Sequence, residues 1–266
     1  MGGPSQPLGA PRAMISPLLA AMTVFCADPA AATGFLNETV TVDGTEHKYV
    51  LYVPRDYTAD RAWPLVVFLH GAGERGADGL KQSDVGIGRA IRLNPERFPC
   101  LVLMPQCPEE HFWDSMIPAI EAMMEKAKAA YTVDVKRVTL TGLSMGGYGT
   151  WIWGPVKKDV FAAYLPICGG GSFADIRRFC PKAGEDVFPS MEERAKLLAD
   201  RPVWAFHGKD DDVVPPFRTR QMVRAVEKAG GKPRLTEYPG TGHNSWDQAY
   251  GDPEVIAWLL EQRLPD

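Results

Sequence analysis

Uninterrupted apolar runs alternate along this chain with segments of helical periodicity, and this alternation constrains the fold more than any other feature. The runs at residues 64–70 (PLVVFLH) and 100–105 (CLVLMP) lack the polar alternation of a half-exposed strand, as expected of strands buried on both faces. Residues 116–131 (MIPAIEAMMEKAKAAY) have apolar positions at helical spacing. Strands buried on both faces need helices to cover them, so the sequence predicts an α/β fold with a mostly parallel central sheet and helices on both faces.

The first strands of the chain follow a different pattern. Residues 38–44 (ETVTVDG) and 48–54 (KYVLYVP) alternate between apolar and polar positions around Asp43 and Gly44. An Asp-Gly pair between two such segments is typical of a tight turn. The sequence therefore predicts an amino-terminal antiparallel hairpin.

The segment before this hairpin is typical of an export signal. Residues 13–26 form an apolar run of signal-peptide length, and small residues that suit cleavage follow it. We interpret residues 1–34 as a signal peptide or a disordered amino-terminal segment, and residues 35–266 as one α/β domain. The expected location is secreted or periplasmic.

Composition argues against several classes of partner. The formal net charge is −4, and no basic stripe interleaved with aromatic residues is present, so nucleic acid is not an expected partner. No apolar run reaches the ~18 residues of a membrane span, so stable membrane insertion is not expected either. The sequence contains neither C-x-x-C nor H-E-x-x-H, so we expect no metal site.

Export would permit disulfides among the cysteines that follow the amino-terminal segment. Cys100 and Cys107 flank an apolar strand whose ends lie roughly 20 Å apart, so these two are not expected to pair with each other. A bridge between Cys168 and Cys180 stays open, because spacing alone does not establish pairing.

The sequence GLSMG at residues 142–146 lies between a predicted strand (RVTLT) and a predicted helix. A nucleophilic serine at such a junction stands on a sharp turn that pushes its hydroxyl out of the sheet, and glycines at both flanks prevent collisions there. The amino terminus of the following helix also favours developing negative charge. We therefore predict that Ser144 is a nucleophile; the alternative is a glycine-rich turn with a capping serine.

A serine nucleophile needs a base, and the base needs an orienting acid. In this architecture the order along the chain is serine, acid, histidine, and only His207 and His243 follow Ser144. His207 ends an apolar strand, which is typical of a histidine packed under a turn. His243 lies in a polar loop after the last strand, so we predict that it is the base. Any carboxylate of residues 210–212 could orient it, and charge alone does not choose among them.

The glycines of HGAGERG, residues 70–76, match the G-x-G-x-x-G spacing of a dinucleotide-binding turn. That interpretation requires a helix that opens at the third glycine and an acidic residue about 20 positions later. The residues that follow Gly76 are too polar and glycine-broken for such a helix. We therefore expect no nucleotide cofactor.

Three segments together, GLSMGGYGTW, FHGKDDDVVP and GHNSWD, resemble the α/β-hydrolase superfamily. Within it they are similar to secreted bacterial esterases of the feruloyl esterase, esterase D and phospholipase/carboxylesterase group. The resemblance covers most of the chain, from about Val40 to Leu264.

This resemblance implies particular residue roles. Aligned on the family pattern H-G-x-x-D-x-x-V-P, the acid is Asp211. The loop after the strand that ends in His-Gly supplies oxyanion donors, which would be the N–H groups of Ala72 and Met145. The implied activity is ester hydrolysis through an acyl-enzyme intermediate, without cofactor or metal, on a small-molecule ester or an acylated carbohydrate or phenolic compound. The alternatives are a serine peptidase of prolyl-oligopeptidase type and a non-catalytic binding module.

Substrate-binding residues are predicted from aromatic side chains near the site. The segment at residues 169–200 is long for a connection between core strands. It is either a surface excursion with a helix near residues 190–198 or a partial lid. As a lid it would offer Phe173, Phe179 and Phe188 to the substrate, and Trp113 and Trp246 could add an aromatic face, although a tryptophan near a site is as often part of the core.

Overall fold

A mixed eight-stranded sheet forms the centre of the computed structural model, which describes residues 1–3, 32–184 and 188–266. The strand order is β1-β2-β4-β3-β5-β6-β7-β8. The strands are β1 (Gly34–Val42), β2 (Thr45–Val53), β3 (Trp63–Leu69), β4 (Leu101–Pro105), β5 (Val133–Leu143), β6 (Ala163–Ile167), β7 (Trp204–Gly208) and β8 (Arg234–Tyr238). β1 pairs with β2 and β2 with β4 in antiparallel fashion, and all other pairs are parallel. The predicted hairpin and the mostly parallel sheet are both confirmed.

Alternate residues of β3 belong to two different apolar clusters, which is why this strand has no polar position. Leu65, Val67 and Leu69 belong to one cluster, whereas Val66 and Phe68 belong to the other. Helices cover both clusters, as the sequence predicted. These helices are α1 (Gly86–Leu93), α2 (Ile117–Ala130), α3 (Met145–Ile152), α4 (Phe173–Ile176), α5 (Met191–Leu198), α6 (Phe217–Lys228), α7 (Trp246–Gly251) and α8 (Pro253–Glu261).

The described residues from 32 onward belong to one compact unit. The interpretation of residues 1–34 falls almost entirely outside the described residues. α1, α4 and α7 were not predicted from periodicity. In the described part of the chain, no helix combines the length and apolar character that a membrane crossing requires.

The carboxyl ends of β3, β5, β6 and β7 meet at one edge of the sheet. The Ser144 N–H, directly after β5, donates to the Ile167 carbonyl at the end of β6 at 2.9 Å, and the Cys168 N–H donates to the Phe206 carbonyl of β7 at 2.9 Å. Residues that follow these strands therefore converge, as they do in other open α/β sheets.

The turn from β5 into α3 needs two glycines because backbone atoms approach it closely. A Cβ at Gly146 would overlap the Leu69 carbonyl and lie 2.8 Å from the His70 carbonyl oxygen. A Cβ at Gly142 would overlap the Gly146 carbonyl. The predicted clearance role of both glycines is confirmed, and it arises from the packing of α3 against the end of β3.

We expect Gly146→Ala to destabilise the protein by more than the roughly 1–3 kcal/mol of ordinary overpacking, because the obstructing Leu69 atoms are backbone. Gly251→Ala is the matched control, since a Cβ there meets nothing within 4 Å. Urea unfolding followed by circular dichroism measures both. Equal stability of the two variants would contradict the clearance argument.

Candidate functional site

Ser144 occupies a strained turn between β5 and α3. Its φ is +52° and its ψ −115°, a region that non-glycine residues rarely adopt. Strain of this kind persists only where the surroundings impose it, and it concentrates at functional sites. Ser144 is partly exposed in an otherwise buried segment, so its hydroxyl is accessible.

His243 connects Ser144 to a buried carboxylate. Its Nε2 lies 2.9 Å from Ser144 Oγ, and its Nδ1 lies 2.7 Å from Asp211 Oδ2. The carboxylate accepts from Nδ1–H, which leaves Nε2 free to accept the serine hydroxyl hydrogen. The histidine side chain is 19% exposed and that of Asp211 is 0% exposed. The structure thus brings together the three residues that the sequence analysis predicted.

Asp211 is saturated with hydrogen-bond donors. Oδ1 accepts from the N–H groups of Val213 and Val214, both at 2.9 Å. Oδ2 accepts from His243, and His207 Nε2 is 3.1 Å away. Burial alone raises the pKa of Asp211, but the hydrogen bonds from His207, His243 and the Val214 N–H outweigh it and hold this pKa well below its ordinary value. Asp211 is therefore ionised throughout the working range of an enzyme.

The two neighbouring aspartates differ from Asp211 in environment. Asp210 and Asp212 are exposed, whereas Asp211 is 6% exposed. Only Asp211 of the three contacts His243. Burial beneath the turn after β7 therefore distinguishes Asp211 from its two neighbours, which charge alone could not do.

His207, at the end of β7, is buried beneath the same turn, as the sequence analysis proposed. Its Nδ1 lies 2.7 Å from Thr219 Oγ1 of α6, and its Nε2 lies 2.8 Å from the Val214 carbonyl oxygen. The sequence analysis missed its contact with Asp211. The signal that could have revealed it is the four-residue spacing of the two side chains across a tight turn.

The loop after β3 lies against the nucleophile turn. A Cβ at Gly71 would be 3.5 Å from Ser144 Cβ. The Glu74 carboxylate accepts the Gly71 N–H at 2.9 Å, and Arg75 Nε donates to the Ala72 carbonyl at 3.1 Å. Glu74 and Arg75 therefore brace this loop.

His70 holds the same loop from below. Its Nδ1–H donates to the Gly71 carbonyl at 2.6 Å, and its Nε2 accepts the Cys107 N–H at 2.9 Å. Burial lowers the pKa of His70 to about 4, although the hydrogen bond to Gly71 opposes this shift. One nitrogen donates and the other accepts, which is the pattern of a neutral imidazole.

The predicted oxyanion donors stand at the starts of two helical segments. Ala72 begins a single 3₁₀ turn, Ala72–Glu74, and Met145 is the first residue of α3. The N–H of a first helical residue has no acceptor within its helix. Neither N–H therefore has an acceptor in its own helical segment, which is a requirement for an oxyanion donor.

The five predicted aromatic residues occupy different surroundings. Trp113 is fully buried, with its ring 4.8 Å from that of His70. Phe173 is also buried and stacks on Phe188 at 5.6 Å. Phe179 is half-buried, 6.2 Å from the Tyr148 ring, and the Trp246 ring lies 5.4 Å from that of His243. Of the five, Trp246 directly contacts a residue of the Ser144 site, and Trp113 packs in the core.

The cysteines of the described residues are free thiols. Cys168 Sγ accepts the Ser144 N–H at 3.3 Å, whereas Cys180 Sγ contacts the Met145 sulfur at 3.7 Å. The two thiols therefore have different partners, and the bridge between them that the sequence left open is not formed.

One set of candidate metal donors occurs among the described residues. Atoms of Cys168, Asp211 and His243 lie within 4.8 Å of one another. However, the carboxylate and the imidazole are hydrogen-bonded to each other, and burial raises the pKa of the Cys168 thiol. A protonated thiol is a poor metal ligand, so the donor set fits proton transfer better than metal binding.

The chain is similar in sequence and in structure to several known proteins. A family model described as "Prolyl oligopeptidase family" matches residues 116–262. A solved structure described as a thermostable esterase shares 35% identity, with a TM-score of 0.72 over 86% of this chain and 63% of that one. A ferulic acid esterase from Anaeromyces mucronatus, 18% identical, has a TM-score of 0.62 over 86% of this chain and 92% of its own, which shows the fold alone.

Two curated relatives match parts of longer proteins. Poly(3-hydroxyalkanoate) depolymerase C of Paucimonas lemoignei is 40% identical over 157 residues, which are 53% of this chain and 38% of the depolymerase. An uncharacterized secreted protein of Arthroderma benhamiae is 24% identical over 201 residues, 68% of this chain and 21% of that protein. The chain therefore spans well under half the length of these relatives.

A mostly parallel sheet of this order, with a serine on the sharp turn after β5, defines an α/β-hydrolase. The family model covers more than half of the chain. The chain therefore belongs to the prolyl oligopeptidase family, and the family model and the 35% identical esterase structure indicate a hydrolase of esterase or peptidase type.

The lowered pKa of Asp211 predicts a specific acid response. An unfolded aspartate titrates near ~3.9, so the stability that folded Asp211 contributes is complete above about pH 5 and declines as the pH falls toward its lower folded pKa. We expect the wild type to lose unfolding free energy more steeply than Asp211→Asn between about pH 5 and about pH 2. Urea unfolding at several pH values measures this. The exposed controls Asp210→Asn and Asp212→Asn should follow the wild type, and parallel wild-type and Asp211→Asn curves would contradict the argument.

Proposed function

We propose that the protein is a carboxylic ester hydrolase in which Ser144, His243 and Asp211 form a catalytic triad. The observation that carries the proposal is the position of His243, with Nε2 at 2.9 Å from Ser144 Oγ and Nδ1 at 2.7 Å from Asp211 Oδ2. A neutral imidazole in this position can remove the serine proton while the carboxylate fixes its tautomer.

Acyl transfer in this site proceeds in two halves. Ser144 Oγ attacks the ester carbonyl carbon as its proton passes to His243 Nε2, and the carbonyl oxygen becomes an oxyanion. The N–H groups of Ala72 and Met145 stabilise that oxyanion. His243 then protonates the leaving alkoxide, so the alcohol departs and the acyl-enzyme remains. A water molecule repeats the sequence, releases the acid and restores the serine hydroxyl. No step requires a metal or cofactor.

The proposed substrates are small-molecule esters, including acyl groups on carbohydrate or phenolic compounds. The solved structure described as a thermostable esterase, 35% identical to this chain, supports an ester over an amide. Trp246 is partly exposed, with its ring 5.4 Å from that of His243, and the half-buried Phe179 ring lies 6.2 Å from that of Tyr148. Aromatic faces of this kind suit sugar or phenolic rings.

A peptidase is the second candidate function, because the family model that matches the chain is that of the prolyl oligopeptidases. The same three residues would serve amide cleavage, which requires stronger protonation of a poorer leaving group. A panel of acetyl, butyryl, feruloyl and long-chain esters, run beside chromogenic prolyl peptides, separates the two. Higher kcat/KM on any ester than on every peptide supports the esterase, and the reverse supports the peptidase.

We also propose that the protein is exported. The apolar run at residues 13–26 and a relative named as a secreted protein support this location.

We expect Ser144→Ala to lower ester hydrolysis by roughly 10⁴ to 10⁶ without loss of folding, because the hydroxyl is accessible and small. A fluorophosphonate probe should label the wild type at this serine and leave the variant unlabelled. Circular dichroism provides the folding control. Labelling of the wild type elsewhere, or none at all, would favour a different nucleophile or a binding module.

We expect His243→Ala to abolish both the activity and its rise with pH, since the imidazole must be neutral to accept the serine proton. His111→Ala is a matched control, because the His111 imidazole pairs with the Ser115 hydroxyl at 3.2 Å rather than with Ser144 or Asp211. The measurement is kcat/KM against pH with one chromogenic ester. A wild-type profile in His243→Ala would show that another group is the base.

A further inference from the structure

One ring nitrogen of His207, Nε2, faces two hydrogen-bond acceptors. Nε2 lies 2.8 Å from the Val214 carbonyl oxygen and 3.1 Å from Asp211 Oδ2. A carbonyl oxygen only accepts, and so does an ionised carboxylate. Nε2 must therefore carry a hydrogen.

The second ring nitrogen, Nδ1, faces a hydroxyl that already donates its own hydrogen to another acceptor. Nδ1 lies 2.7 Å from Thr219 Oγ1, and the Thr219 hydroxyl donates to the Gly169 carbonyl at 2.7 Å. A hydroxyl has one hydrogen, so Thr219 Oγ1 can only accept from Nδ1. All of these contacts are hydrogen bonds together only when each ring nitrogen carries a hydrogen, which is the imidazolium form.

We propose that His207 is a buried cation that positions Asp211 and weakens the affinity of His243 for a proton, so that the base stays neutral at lower pH. The proposal rests on the proposed function of His243 as the base. His207 does not reach the reacting atoms, and it acts through Asp211. It is a positioning residue.

A buried cation needs compensation, and the structure provides it. The side chains of His207 and Asp211 are both 0% exposed and form an ion pair. Every polar atom of the imidazolium has an acceptor, namely Thr219 Oγ1, the Val214 carbonyl or Asp211 Oδ2. Hydrogen bonds to charged groups in a buried site are the strong ones, and complete pairing is the condition under which a buried charge is tolerated.

The other titratable groups around His207 do not replace Asp211 as its counter-charge. Glu237 of β8 is aligned with His207 across the sheet, but it pairs with Arg220 of α6 at 2.8 Å. Cys168, after β6, is a buried thiol whose pKa is raised by burial. Lys209, Asp210 and Asp212 flank the turn and are exposed.

His243 contacts the same carboxylate oxygen as His207. Oδ2 lies 2.7 Å from His243 Nδ1 and 3.1 Å from His207 Nε2, so the two nitrogens are no further apart than the sum of these distances. A positive charge this close disfavours a second one. Protonation of His243 therefore requires a lower pH than it would beside Asp211 alone, and removal of the His207 charge should move the acid limb of activity upward.

His207→Gln tests the charge separately from the hydrogen bond, since a glutamine amide can donate toward Asp211 without a charge. We expect the midpoint of the acid limb of kcat/KM to rise by about half to one pH unit, which lowers kcat/KM on that limb about three- to tenfold. An unmoved midpoint in the folded variant would overturn the proposal.

Thr219 provides a second pair of variants should His207→Gln not fold. Thr219→Val removes the acceptor opposite Nδ1, so it should shift the limb in the same direction as His207→Gln. Thr219→Ser keeps the acceptor and should keep the wild-type midpoint. Equal midpoints in the valine and serine variants would count against the cationic form.

Nitrogen-15 NMR of histidine-labelled wild type decides the protonation state without any activity measurement. The His207 signals are assigned by their absence in His207→Gln, or through the Thr219 variants. We expect two slowly exchanging ring N–H groups at pH 7. One unprotonated ring nitrogen would overturn the proposal. Because this result needs no substrate, failure of the esterase proposal and failure of the His207 proposal are distinguishable.

Discussion

The close approach of α3 to the end of β3 is the contact on which the rest of the site depends. Gly146 lies so near the Leu69 and His70 carbonyls that no side chain fits between them. The chain must therefore turn sharply at Ser144, which adopts a φ of +52°. The same contact brings the Gly71 loop beside Ser144. One backbone constraint thus positions both the serine hydroxyl and the N–H groups that would receive an oxyanion.

Hydrogen bonding to one carboxylate organises the other half of the site. Asp211 accepts from two backbone N–H groups of its own turn and from two histidines. These donors come from the end of β7, the turn after it and the loop after β8. A carboxylate whose lone pairs all accept hydrogen bonds has little freedom to rotate. The His243 imidazole that it holds is therefore fixed as well. The orientation of that base therefore follows from the packing of loops that are distant in sequence.

The sequence predicted those parts of the fold that local patterns determine. β3 and β4 were recognisable because burial on both faces removes every polar position, and Ser144 because its turn demands glycines. α1 was missed because it begins at Gly86 (φ +54°) and contains Gly88, so its intrinsic helix propensity is low. Burial of its Ile87 and Ile91 side chains stabilises it instead. The placement of β4 between β2 and β3 is likewise a property of the assembled sheet.

At the site, the sequence could not predict which way the individual side chains point. Charge could not separate three consecutive aspartates, and the difference among them is burial beneath the turn. The aromatic residues show the same limit, since Trp113 and Phe173 are as apolar in sequence as Trp246 but pack in the interior. Hydrophobicity predicts that a ring avoids water, and it does not say whether the ring meets the core or a substrate.

Arg75 connects the loop after β3 to the segment that carries Phe179. Its Nε donates to the Ala72 carbonyl at 3.1 Å, and its Nη1 donates to the Phe179 carbonyl at 3.3 Å. Nη1 also lies 3.3 Å from Cys180 Sγ. The loop after β3 and the segment that carries Phe179 are therefore joined through one guanidinium. A change in that segment that moves the Phe179 carbonyl therefore acts through Arg75 on the peptide of Ala72, which carries one of the two proposed oxyanion donors.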